Sequence, residues 1–160
     1  MLIAEIVILC GLFFVICYFN TGSDKKNIKS FSSYPNEVQH IVKENHFLND
    51  KIKIITPFIS FISNIIMFVV ILFIFGLFMK QANFIDNFTS LLILGQILNL
   101  FDFLIIDILW WRNSKRIRFT GTENMDNIYK NPKNHFISFI KGIFVFLIVA
   151  VIDGLLLSFF

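Results

Sequence analysis

The sequence predicts an all-α integral membrane protein, a four-helix bundle in which residues 1–160 form a single transmembrane domain. Two observations carry this. Hydrophobic residues make up 56% of the chain and include 22 Phe, with a mean hydropathy of +0.74, which is more apolar surface than one small water-soluble core can bury. The Lys and Arg residues, moreover, fall almost entirely in two segments between apolar runs.

The apolar runs cover about residues 2–19, 55–79, 88–111 and 136–160. Each approaches or exceeds the ~20 residues needed to cross a ~30 Å hydrocarbon core. Helices are the expected form, because an isolated apolar stretch cannot leave backbone groups unpaired in lipid, and no run alternates as a barrel strand does. The first run reads as a span rather than a cleaved signal peptide. No cation precedes it, Glu5 is acidic, and Lys25, Lys26 and Lys29 follow it.

The loop at 20–54 carries Lys25, Lys26, Lys29, Lys43, Lys51 and Lys53, and the loop at 112–135 carries Arg112, Lys115, Arg116, Arg118, Lys130 and Lys133. By the positive-inside rule both loops are cytoplasmic, and the N-terminus, the short connection near Lys80 and the C-terminus face outward. A multi-pass protein of the cell membrane follows. The abundance of Ile, Phe, Asn and Lys, as in AT-rich coding sequences, points to a bacterium. Trp110 and Trp111, at the end of the third run, read as an interfacial aromatic anchor.

In the first loop, Ser33, Tyr34, Pro35, Asn36 and Glu37 predict a short helix with Pro35 at its first position and Glu37 reaching back to free amides. Val38, Ile41, Val42 and Leu48 give it an apolar face suited to the membrane surface or to the bundle, of which docking on the bundle is the leading expectation. In the second loop Gly121, Thr122 and Glu123 predict a turn, and Asn131 with Pro132 marks the start of the fourth helix.

Ionisable groups at membrane depth cost roughly 2.5–3.5 kcal/mol, so each needs a partner, water or a proton. Glu5, Asp102, Asp107 and Asp153 stand at such depth, and Gln96 and Asn99 make the third run the most polar, hence the expected axis of the bundle. On a 3.6-residue helix Gln96, Asn99 and Asp102 advance round one side, and Asp107 returns near the azimuth of Gln96. Asn64, with Ser60 and Ser63, stands at a depth to meet Asn99 or Asp102. Lys141 is the expected partner of Asp107 or Asp102. Glu5 and Asp153 have no cation within a span to pair with.

Other chemistry finds little support. Cys10 and Cys17 stand seven residues apart on one helix, about 10 Å, beyond disulfide reach. His40, His46 and His135 lack the spacing of helical metal ligands, and no phosphate loop or nucleophile elbow is present. No cofactor, metal or catalytic residue is therefore expected, nor a nucleic-acid partner, whose binding domain would spread its cations over a polar face. The Asp102 and Asp107 pair lacks the Gly, Ala, Arg and further Asp of membrane alcohol phosphotransferases. Asn87, Phe88 and Thr89 form a glycosylation sequon that abuts the membrane. Arg112, Lys115, Arg116 and Arg118 form a cluster suited to anionic lipid headgroups or an acidic partner.

Ser33, Tyr34, Pro35, Glu37, Val38 and Gln39, then Phe101, Asp102, Asp107, Trp110 and Trp111, then Gly121, Thr122 and Glu123 carry one resemblance. Together they resemble small four-span membrane proteins of Firmicutes-type bacteria, a resemblance that covers most of the chain and implies no activity. The leading expectation is a non-enzymatic membrane protein acting as an oligomer or as an accessory subunit of a larger membrane complex. The second is a small cation- or proton-coupled transporter or channel using its intramembrane carboxylates. The third is a membrane enzyme acting on lipid or isoprenoid through Asp107, His135 and the arginine cluster.

Overall fold

The structure, a computed structural model, describes residues 2–50, 52 and 56–159. Among these residues every regular element is helical, and four helices are long and apolar enough to cross a membrane. In chain order the α-helices are α1 (Leu2–Phe19), the short α2 (Asp24–Asn27), α3 (Asn36–Glu44) and α4 (His46–Asn49), α5 (Pro57–Met79), α6 (Phe84–Phe101), the short α7 (Asp126–Tyr129) and α8 (Lys133–Phe159), of which α1, α5, α6 and α8 carry the spans. After α6 the third span runs on as a π-helical segment, Asp102–Trp110, and then as 3-10 turns.

Local capping moves the ends of the spans from where hydropathy sets them. Helix α5 starts at Pro57 because Thr56 accepts from the Ile59 amide and proline needs no donor there. The third span begins at Phe84, four residues early, where Asn83 accepts from the Asp86 amide at 2.9 Å. The fourth begins at Lys133, whose amide donates to Asn131 at 3.1 Å. Ile55 and Phe160, the outer limits of two expected spans, and Lys51 and Lys53 of the first loop lie outside the described residues. In α3 the expected capping is corrected: Pro35 is itself the cap residue, Glu37 makes no capping bond, and Gln39 instead donates to the Tyr34 carbonyl.

The chain divides into two compact units. The first comprises Met1–Gly11, Ile55–Phe101 and Phe139–Phe160. Its centre is the contact of α6 with α8. Gly95 faces Phe146, Gly154 faces Phe84 and Phe88, and Gly142 lies under the Asn99 side chain, where an added methyl would collide. Helix α5 joins this pair at one end, with Gly76 against Leu157 and Leu91, and through the ring of Phe68 on Phe146. Small residues of this kind let helices approach in lipid, where no hydrophobic effect drives them together.

The second unit comprises Leu12–Ile54 and Asp102–Ser138. Its core is aromatic, with Tyr34, Phe31, Trp111, Phe119 and Tyr129 packed with Val38, Val42, Leu48 and Ile117. Trp111 therefore belongs to a core and not to an interfacial belt, because its ring lies 5.0 Å from Tyr34 and 4.7 Å from His135. Trp110 is half-buried on Phe14 and Tyr18. Polar bonds fix the same core. Tyr34 donates to the Ile117 carbonyl at 2.9 Å, Asn27 donates to the carbonyls of Arg116 and Arg118, and Thr122 shares a 2.7 Å bond with Tyr129. Gly121, at φ +88°, makes the turn that the sequence announces there.

Burial raises the Tyr34 phenol well above its ordinary range, helped by Tyr129 and Asp24 and opposed by Arg118. An acid that holds its proton more tightly when folded stabilises the fold below its unfolded pKa, about 10 for tyrosine, and loses that contribution as pH rises past it. Trp fluorescence across an alkaline titration should show the second unit loosening above about pH 10. Tyr34→Phe should flatten that loss while costing about 1 kcal/mol at neutral pH for the orphaned carbonyl.

Candidate functional site

The sequence places Asp102 and Asp107 five residues apart, which on an α-helix sets them about 140° apart in azimuth. The π-helical segment changes this. Its hydrogen bonds run from residue i to i+5, so positions five apart come near one another in azimuth, as positions four apart do on an α-helix, and the two carboxylates share a face. The expected return of Asp107 to the azimuth of Gln96 is thereby corrected. Each carboxylate lies within electrostatic range of the other, and Cys17 of α1 lies within range of both.

Asp107 is paired. Its Oδ1 stands 2.9 Å from His135 Nδ1, with the side chains 16% and 6% exposed respectively, so the carboxylate–imidazole contact is largely out of water. His135 sits in the first turn of α8, edge-on to Trp111. The bond through Nδ1 fixes the imidazole and leaves Nε2 as its second proton-exchanging position. Lys141, the expected partner, is exposed and enters no ion pair among the described residues. Asp102 is half-buried and its carboxylate makes no hydrogen bond or ion pair among the described residues. The site is thus one carboxylate held by an imidazole and a second carboxylate beside it with neither.

In the first unit the polar residues divide by whether they are satisfied. Gln96 donates to the Ile143 carbonyl at 3.1 Å and Asn99 to the Phe139 carbonyl at 3.1 Å, which accounts for both as α6–α8 ties. Asn64 does not reach Asn99 but is exposed, as are Ser60 and Ser63, since the Asn99 amide is spent on α8. Asp153 is fully buried with neither oxygen hydrogen-bonded, and buried Glu5 leaves Oε2 without a partner. Lys80 is exposed and pairs with neither among the described residues. The sequon asparagine, Asn87, is buried and clamps Gln81 through both its oxygen and its amide.

The arginine cluster is largely consumed within the second unit. Arg118 is buried, bonded to Asp126 at 3.0 Å and to the Arg112 carbonyl, with its guanidinium 3.8 Å above the Tyr129 ring. Arg116 covers Tyr18 at 4.2 Å, Arg112 donates to the Lys130 carbonyl, and Lys115 is exposed. Arg118 is a core residue that the sequence does not announce, because its partners Asp126 and Tyr129 reach it only through the fold of the second loop. Among the described residues no group of three or more His, Cys, Asp or Glu is arranged to hold a metal ion.

Removing the imidazole leaves the buried Asp107 carboxylate without its partner, so His135→Ala should destabilise the protein by about 3 kcal/mol. Combining it with Asp107→Asn should cost clearly less than the sum, read as a double-mutant cycle by denaturation in detergent. Asp153→Asn, which takes no partner from any group, should leave the yield of folded protein unchanged.

No protein-family model, curated protein or solved structure matches the chain.

Proposed function

We propose that the chain is a non-enzymatic multi-pass membrane protein that takes up and releases protons or a small monovalent cation at Asp102, Asp107 and His135. One observation carries this reading. Asp102 stands without a hydrogen bond or ion pair beside the Asp107–His135 pair, on a π-helical turn within a span. An unpartnered carboxylate at membrane depth is costly, and π turns recur at functional sites because they re-aim side chains at the expense of regular bonding. A proton or a small cation is the ligand whose binding removes that cost, and the neighbouring imidazole is a group through which protons pass.

The side of the membrane follows from charge. Lys25, Lys26, Lys29, Lys43, Lys115, Lys130 and Lys133 are all exposed on the two basic loops, which supports a cytoplasmic location for those loops and an outward one for both termini. The resemblance to four-span proteins of Firmicutes-type bacteria is in keeping with a bacterial cell membrane. A lipid-modifying enzyme has less support, because the guanidinium groups that would take a headgroup are engaged by Lys130, Tyr18, Asp126 and Tyr129.

A second reading, the oligomeric or accessory membrane protein, is favoured by a separate observation. Helix α5 exposes Ser60, Ser63 and Asn64 within a span, where lipid offers them nothing. The two readings are compatible, since an assembly can carry a proton site in each protomer.

Proton handling is tested in vesicles. Reconstituted wild-type protein under an imposed pH gradient should move protons faster than empty vesicles, read by an entrapped pH dye. Asp102→Asn should remove the excess flux with the protein still folded. Equal flux from wild type, Asp102→Asn and empty vesicles would count against the reading.

A further inference from the structure

Helix α5 turns Leu72, Gly76 and Met79 toward its neighbours in the first unit. A different face carries Ser60, Asn64, Met67, Ile71, Ile74 and Phe78, spaced alternately four and three residues apart. That is the seam of a heptad repeat, the pattern by which two helices wrap round each other. Ser60 and Asn64 are exposed, Met67, Ile74 and Phe78 are 44%, 50% and 66% exposed, and Ile71 is half-buried. Most of α5 faces outward, so exposure alone does not mark this strip. Its polarity does: Asn64 lies about 10 Å along the helix from Pro57, at membrane depth, and its side chain makes no hydrogen bond among the described residues.

An amide facing hydrocarbon forfeits its hydrogen bonds, a penalty that a lipid tail cannot relieve. We propose that this face of α5 is where two copies of the chain associate, with Asn64 of each copy bonded to Asn64 of the other. Three features select a second copy as the occupant. Copies inserted in the same orientation bring Asn64 to the same depth on parallel helices. The side-chain amide carries both a donor and an acceptor, so a two-fold axis pairs oxygen to N–H in both directions. In the heptad Asn64 takes the core position at which a single asparagine fixes register and restricts the seam to a pair. Ser60, one turn away on the same strip, adds a small hydroxyl-bearing surface that allows close approach.

The proposal rests on the second reading above, a membrane protein that works as an assembly, and names its partner and surface; it is independent of proton handling. The test begins with the wild-type monomer–dimer equilibrium in lipid and in mild detergent. Asn64→Leu is suited to lipid contact and should fold, yet weaken the dimer about tenfold, the combined weight of the two interhelical hydrogen bonds. Asn64→Gln keeps the amide and should restore most of it. In a chain carrying Cys10→Ala and Cys17→Ala, Asn64→Cys should cross-link on oxidation in membranes. Ile66→Cys, 60% exposed but about 200° round the helix, should not. A wild-type dimer indifferent to Asn64→Leu, or cross-linking equally at 64 and 66, overturns this surface and leaves the assembly reading standing. A wild type that stays monomeric at every protein-to-lipid ratio overturns both.

Discussion

The contact between His135 and Asp107 is the constraint round which the second unit is organised. A carboxylate out of water is tolerated only with a partner, and the partner here comes from the start of α8 while the carboxylate comes from the end of the third span. The two stand 2.9 Å apart, and beside them, just past the π-helical segment, Trp111 lies edge-on to the imidazole and inside the aromatic core. Tyr34, whose hydroxyl bonds Ile117 and whose carbonyl accepts from Asn134, then closes that core from the first loop. Loops that hydropathy alone would leave as connectors between spans become a folded unit in this way.

The first unit obeys a different rule. Lipid cannot hydrogen-bond, so polar side chains inside it either find a protein carbonyl or stay exposed to a penalty. Gln96 and Asn99 take the first course, and the glycine under Asn99 is what permits the approach. Asp153, Glu5 and Asn64 do not. Asp153 and Glu5 are buried with unbonded oxygens, whereas Asn64 is turned outward on a helix whose regular seam can take a neighbour. Sorting the polar groups by satisfaction separates what ties helices together from what awaits a proton or another chain.

Hydropathy and length are properties of the residues themselves, which is why the four spanning helices are readable from the chain. Their ends depend on single capping residues, Thr56, Asn83 and Asn131, and so shift by a few positions from the apolar limits. The site was half legible. Asp102 and Asp107 announce themselves as charges within a span, but their shared face depends on a π turn, which no residue pattern here encodes. His135 could be expected near the end of the third span, yet Lys141 stood deeper in the apolar run and made the more obvious cation. The fate of the arginines was hidden for a similar reason. A positive cluster beside a membrane reads as a headgroup site until the fold supplies Asp126, Tyr129 and Tyr18 as internal partners.

That Asp102 exchanges a proton beside a fixed Asp107–His135 pair is the central claim, and infrared difference spectroscopy of lipid-reconstituted protein across a pH step addresses it without requiring transport. The account predicts a carboxylic-acid C=O band that changes with pH, vanishes in Asp102→Asn and is displaced in His135→Ala. A spectrum without any pH-dependent carboxylic-acid band, or one that Asp102→Asn leaves intact, would contradict it.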